Sequence, residues 1–408
     1  MNIIQQPDNL CFSGNVEDFI LTGVTESIHF KLQVGNTIVI DEIYVPENGR
    51  VRINCKDVIN ELLTISVPSS DVDFLIQTDA VKVFKATLGN SVVNFTVVKG
   101  GIGNLEEISA VFMKTQWLTL QPQQKEIVYN QPEWLSYFGV VTAKVRVKAY
   151  LPNGIEDKYI LDIKAGNLYM IDVSYLKMCA KFGQALGYYD VWVEDVNGNR
   201  LTYIQRYVLK IQDNFNIYLF ENTLGGIDTV AFSGEFVEKV KTEGKIATIL
   251  EESNDGDIDF EISYEQNTGF IPSLDYARWL LGFFVSKQKY HISDSIKRIY
   301  IRESENEFTV NSLNDYSFEF FHSHQTRYNY VIRNNENLPE LIEFPEVDYE
   351  IPFLAPRLAE FPLAETADDL VLPAQFLYEN KWRRISVASI LHKAVGDVIG
   401  NVDLSKYW

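Results

Sequence analysis

The sequence predicts a mainly β protein: tandem duplicated small β-sandwich modules followed by an α+β domain and an extended Pro-rich C-terminal arm. Three observations carry this. Aromatic residues make up 13% of the chain, with 22 Tyr and 25 Phe, a bias toward pleated structure. Short runs alternate apolar and polar residues between Gly-containing turns. One unit occurs twice, as "GRVRINCKDVIN" at 49–60 and "GNLYMIDVSYLK" at 166–177. Each copy opens on a Gly turn, alternates, and reaches a capping-type residue before a short amphipathic run.

In the first copy "SIHFKLQV" puts Ile28, Phe30, Leu32 and Val34 on one face, "GN" turns the chain and "TIVIDEIYV" returns it. After "PENG" comes "RVRI", and Asp57 caps a helix through "VINELL". Strands "AVKVFKA" and "SVVNFTVV" flank a turn at Gly89 and Asn90. The second copy keeps the order: "AKVRVKAY", a Pro-Asn-Gly turn, "DKYILDI", the Gly166 turn, "NLYMI", then Ser174 capping "YLKMCAKF". It closes with "YYDVWVEDV" and "RLTYIQRYVLKI". The repeat places one module at 1–100, with its repeated part from about residue 18, and its copy at 136–213. Residues 101–135 form a connecting segment that packs over the modules, because Phe112, Trp117 and Leu118 need burial.

The α+β domain spans 214–335, with a helix starting near Ser273 whose apolar face is Leu274, Ala277, Leu281 and Phe284. From 336 to 375 proline recurs and rules out a central strand or a helix, and ten acids face only Arg357 between 336 and 369. Such an acidic segment runs extended over another surface. Residues 376–408 read as a strand-helix attachment element.

A length of 408 residues suggests two to four domains at roughly 150 residues each. The net charge of −20 argues against phosphate-backbone binding, so no nucleic-acid partner is expected. Cys11, Cys55 and Cys179 lie far apart and read as buried thiols rather than a zinc or disulfide framework. No basic leader precedes an apolar core, and no apolar run nears the ~18 residues of a membrane span. Neither a signal peptide nor a membrane span is expected.

Motifs that carry chemistry are sparse. His322 and His324 share a strand face, the start of a metal site without a third ligand nearby. "DGDIDFE" at 255–261 has carboxylates at every second position but lacks the Gly and Glu of a calcium loop, and reads as an acidic hairpin tip. "GGIGNLEE" at 100–107 lacks the third Gly of a dinucleotide fingerprint. No catalytic residue, metal or cofactor is assigned, and a non-enzymatic role is expected. Trp192, Trp382, Trp408 and the many Tyr suit core and interface packing more often than sugar stacking.

"IYLFENTLGGIDTVAFSGE", "LDYARWLLGFFVSKQKY" and "YSFEFFHSHQTRYNY" together resemble tail-tip or baseplate proteins of tailed phages and prophages of gut Bacteroidetes. The ending "FLYENKWRRISVASIL" is similar to the strand and turn of phage fibre proteins, at Asn380, Lys381, Trp382 and Ser389. The resemblance covers 214–335 and 376–395, and no long fibre shaft accompanies it. It implies a non-enzymatic virion tail component, made in the host cytoplasm, that joins tail and fibres. The expected partners are further copies in a ring, trimer or hexamer, and other tail or fibre proteins. The anchors expected on the arm are Phe353 and Leu354, with Trp382, Arg383 and Arg384 as a partner contact. A carbohydrate-binding or adhesin-like β-sandwich protein, contacting a host-surface glycan, is the alternative.

Overall fold

In the first module, strands Ile28–Val34 and Thr37–Tyr44 form a hairpin, and Val81–Leu88 and Ser91–Val98 a second, joined edge to edge. The computed structural model describes residues 1–68, 72–103, 107–211, 214–249, 252–293, 295–304, 307–309, 312–324, 371–376 and 381–386. Leu10–Phe12 lies parallel beside Ser91–Val98 and completes a five-stranded sheet. Facing it, Phe19–Thr22 pairs with Asn2–Gln5 and Arg50–Ile53 in a three-stranded sheet. Alternation sends Phe30, Phe84 and Phe95 inward from the larger sheet and Phe19, Leu21, Val51 and Ile53 from the smaller, so the two close on one apolar core.

The second module repeats this strand order. Its larger sheet runs Gln124–Ile127, Gln205–Leu209, Tyr188–Asp195, Ala143–Leu151, Gly154–Ile163, and its first strand is again parallel to its neighbour. The smaller sheet pairs Trp134–Phe138 with Leu168–Asp172. Helices occupy equivalent places: α1 (Lys56–Glu61) follows Arg50–Ile53, and α3 (Tyr175–Phe182) follows Leu168–Asp172. Between them in the chain comes α2 (Ser109–Thr115).

Three sequence expectations shift. The segment 101–135 is more than a connector, because Gln124–Ile127 is the edge strand of the second large sheet and Trp117 and Leu118 are fully buried. The N-cap position of α1 is Cys55, which leaves Asp57 in the first turn. Ser174 does occupy the N-cap position of α3, yet its hydroxyl bonds Asp172 instead of a helix amide.

One strand crosses between the modules. Phe74–Ile76 leaves the first module and adds antiparallel to Leu168–Asp172 of the second, with Leu75 opposite Met170. The Gln77 N–H donates to the Leu168 carbonyl at 2.9 Å and the Asp172 N–H to the Asp73 carbonyl at 2.9 Å, closing the ladder at both ends.

The third body is a seven-stranded antiparallel sheet in the order Ile227–Phe232, Asn216–Glu221, Lys289–Ile292, Ile296–Glu303, Ser317–His322, Glu252–Asn267, Phe236–Ile249. One face carries α4 (Leu274–Val285), started by Ser273, whose hydroxyl accepts from the Tyr276 N–H at 3.2 Å. Ala277, Trp279, Leu280 and Phe283 are the buried residues of α4, whereas Leu274 and Leu281 are exposed. The buried face is therefore rotated from the one expected: in a helix this apolar, the spacing fits more than one face. The acidic stretch 255–261 lies within the long strand Glu252–Asn267.

Met1–Lys210 and Phe215–Val347 belong to one compact unit, and a second includes the hairpin of Val371–Phe376 with Lys381–Ser386. Among the described residues no helix is long and apolar enough to cross a membrane.

The crossing strand yields a test. Leu75→Pro removes one ladder N–H against Met170, and the unfolding free energy should fall by about 2 kcal/mol in urea titration. An unchanged midpoint would mean that the donated strand contributes nothing.

Candidate functional site: a buried junction and its surfaces

The tight turn between Asn216–Glu221 and Ile227–Phe232 is where all three bodies meet. Asn222 organises it: its Oδ1 accepts from the N–H groups of Leu224 at 2.9 Å and Gly226 at 3.0 Å. Its Nδ2 donates to the Leu118 carbonyl and to Asp228 Oδ1, both at 2.9 Å. The glycines of "LGGI" are required by close approach. Gly225 has φ +85°, and a Cβ there would fall 1.8 Å from the Lys99 carbonyl oxygen of the first module. At Gly226 it would fall 2.4 Å from the Leu118 carbonyl oxygen on the second module's side.

The stretch at Gly100 and Gly101 is the other half of this contact. Gly100 has φ +119° and packs on the backbone of Leu224, and the Gly101 N–H donates to the Thr223 carbonyl at 2.9 Å. On its other side the Gly14 N–H donates to the Gly100 carbonyl at 2.7 Å. These glycines pack backbone on backbone.

Beneath the turn lies a charged cluster closed to solvent. Lys125 is 4% exposed, Glu133 0% and Asp228 1%. Lys125 Nζ donates to Glu133 Oε1 at 2.5 Å, to Gln121 Oε1 at 2.9 Å and to the Thr229 carbonyl at 2.6 Å, and sits 5.0 Å from the centre of the Trp279 ring. Trp279 Nε1 donates to Asp228 Oδ2 at 2.7 Å, and Gln131 Nε2 to Glu133 Oε2 at 2.9 Å. Burial pushes the Glu133 carboxyl up to about 7 against the opposing pull of Lys125, and burial raises Asp228 too.

Beside the junction opens a cleft of about 690 Å³, walled by α1, Gly100–Gly103, Glu221–Thr223 and the end of α4. Burial raises the Glu221 carboxyl, opposed by Lys99, whose Nζ bonds Asn60 O at 2.9 Å and Asn60 Oδ1 at 3.1 Å.

A second surface is the outward face of the second module's large sheet. Tyr150 and Tyr188 stack at 4.0 Å with Arg206 over Tyr188 at 4.8 Å, and Arg146 lies 5.5 Å from both Tyr159 and Trp192. Acids alternate with these groups: Arg206 pairs with Asp190 at 2.7 Å, and Arg146 with Glu194 at 3.1 Å. Trp192 is largely covered and donates to Glu194 at 2.6 Å.

Of the site residues expected from sequence, Phe353 and Leu354 lie outside the described residues. Trp382, Arg383 and Arg384 fall on one strand, opposite Gln375, Ala374 and Pro373. His322 is paired with His291, on another strand of the same sheet, at 3.2 Å between ring nitrogens. Among the described residues no group of three or more His, Cys, Asp or Glu is arranged to hold a metal ion. The three cysteines are buried free thiols, and burial holds Cys11 and Cys55 up at about 12. The buried Lys125, Glu133 and Asp228 were missed. The one signal for them was the apolar company of Asp228 in "LGGIDTVAF".

No protein-family model matches the chain, and no curated protein matches it. Among solved structures, a chain described as "Structural basis for Dscam isoform specificity" aligns over 66% of this chain and 69% of its own length, at 8% identity. Its TM-score is 0.16, too low to equate the two folds.

Two outcomes follow from the junction. Gly225→Ala places a methyl on the Lys99 carbonyl at positive φ and should cost about 3 kcal/mol or more in thermal or urea unfolding. The raised Glu133 carboxyl binds its proton more tightly in the folded chain than at the ordinary 4.5, so its contribution is fully present below about pH 4.5 and is lost as pH rises through about 7. Relative to Glu133→Gln, the parent should therefore lose up to roughly 3 kcal/mol across that window. Parallel pH–stability curves for the two proteins would contradict this.

Proposed function

We propose that this chain is a non-enzymatic structural component of a phage tail tip or baseplate, assembling with copies of itself and linking the tail to fibres or receptor-binding proteins. The observation that carries the reading is the welding of two like sandwich modules and a seven-stranded sheet into one body. A part that transmits load between neighbours needs rigid, repeated β faces and sheet edges on which a partner can build. One of the stretches that carry the resemblance, "IYLFENTLGGIDTVAFSGE", contains the turn at the centre of that weld. The acidic, Pro-rich segment 336–375 with Phe353 and Leu354, and the strand bearing Trp382, Arg383 and Arg384, are the elements assigned to neighbours in this reading.

A second reading, glycan binding, is favoured by the aromatic and charged face around Tyr150, Tyr188, Tyr159 and Arg146. Aromatic rings beside paired charges suit stacking and hydroxyl recognition in a sugar. Light scattering separates the two. The assembly reading expects a trimer or hexamer that dissociates when 336–408 is deleted. A monomer in both forms, with binding on a glycan array that Tyr159→Ala abolishes, would replace it with the second.

A further inference from the structure

The two modules differ at the edge of the small sheet that lies beyond Arg50–Ile53 in the first and beyond Leu168–Asp172 in the second. In the second, Phe19–Thr22 and Arg50–Ile53 have their counterparts in Trp134–Phe138 and Leu168–Asp172, since the inward pairs Phe19 with Ile53 and Leu21 with Val51 match Leu135 with Ile171 and Tyr137 with Tyr169. Arg52, between Val51 and Ile53, thus occupies the place of Met170. Met170 faces the donated Leu75. In the first module Arg50–Ile53 is the last strand of its sheet.

The backbone at that edge is set for pairing. Arg50 exchanges hydrogen bonds with Glu47, at 2.9 and 3.0 Å, on the side away from Phe19–Thr22. By alternation the N–H and C=O of Arg52 point the same way, and among the described residues nothing bonds them. Val45, the nearest residue of the incoming chain that could cover them, is 76% exposed. The side chains differ too: Leu168 and Met170 are buried, whereas Arg50 and Arg52 are exposed. Arg52 pairs with Asp18 through Nε at 2.5 Å while its side chain stays 72% exposed.

We propose that the Arg50–Ile53 edge is a strand-acceptor slot for a partner protein, filled by an extended segment reading apolar–acidic–apolar. The acidic residue lies opposite Arg52 and next to Arg50, and the apolar residues lie opposite Val51 and Ile53, as Phe74 and Ile76 lie opposite Ile171 and Tyr169. Arginines that discourage pairing with neutral or basic strands select an acidic one. This deepens the assembly reading by naming how a neighbour attaches, and it has a separate readout, since a chain monomeric in light scattering would still bind a strand here.

The probe is the chain's own donor segment, residues 72–78, as a synthetic peptide with Leu75 replaced by Glu, set against the unaltered peptide. Hydrogen exchange of the full-length protein is followed at residues 49–54. The Leu75→Glu peptide should slow exchange there and bind about tenfold more tightly than the unaltered one. Arg52→Glu in the protein should abolish that preference, with a retained single cooperative melting transition as the folding control because the Asp18 pair is lost, and a peptide N-methylated at the Glu should not protect. Equal effects of the two peptides, protection elsewhere only, or indifference to Arg52→Glu would each overturn the proposal. Should Arg52→Glu fail to fold, Arg50→Glu replaces it with the same expected loss.

Discussion

Lys125 is the constraint on which the rest of the molecule depends. A lysine ammonium taken out of water costs several kcal/mol unless it is met by charge and hydrogen bonds. Its partners come from separate bodies: Gln121 and Glu133 from the second module, the Thr229 carbonyl and the Trp279 ring from the seven-stranded sheet and its helix. Removing the third body would leave the cation half-satisfied, and removing the second module would deprive Asn222, which holds Asp228, of the Leu118 carbonyl. Mutual dependence of this kind favours a single arrangement of the bodies, because a partly satisfied buried network is worse than an apolar one.

The glycines do the complementary work at the backbone. Gly100, Gly225 and Gly226 let three chain segments approach within distances that any Cβ would prevent. That closeness brings Asn222 within reach of both Leu118 and Asp228. Steric fit and charge satisfaction are therefore one feature seen from two sides.

The two sandwiches share the strand order of their large sheets, and their small sheets have different edges. One edge carries Leu168 and Met170, buries them, and receives Phe74–Ile76. The other carries Arg50 and Arg52 in solvent. The insertion that supplies the donated strand lies between α1 and Val81–Leu88, whereas the equivalent link after α3 is only five residues long, Gly183 to Gly187, too short to reach out and return. The asymmetry leaves the repeat with one filled edge and one open edge.

The sequence by itself determined the mainly β class, the repeat, most hairpin strands and the starts of α3 and α4. Those depend on local alternation, turn residues and capping positions, which a few consecutive residues carry whole. It also required Trp117 and Leu118 to be buried. Strands such as Phe74–Ile76 and Gln124–Ile127 escaped because three or four residues hold too little pattern, and the long pair Phe236–Ile249 and Glu252–Asn267 because its alternation is crowded with charge. Only the tertiary structure decided that Lys125, Glu133 and Asp228 are core residues and that "GGIG" is a packing seam. Burial of a charge, and the need for a missing Cβ, are set by segments some 100 residues apart, such as Lys125 and Thr229 or Lys99 and Gly225, and no local pattern records that meeting.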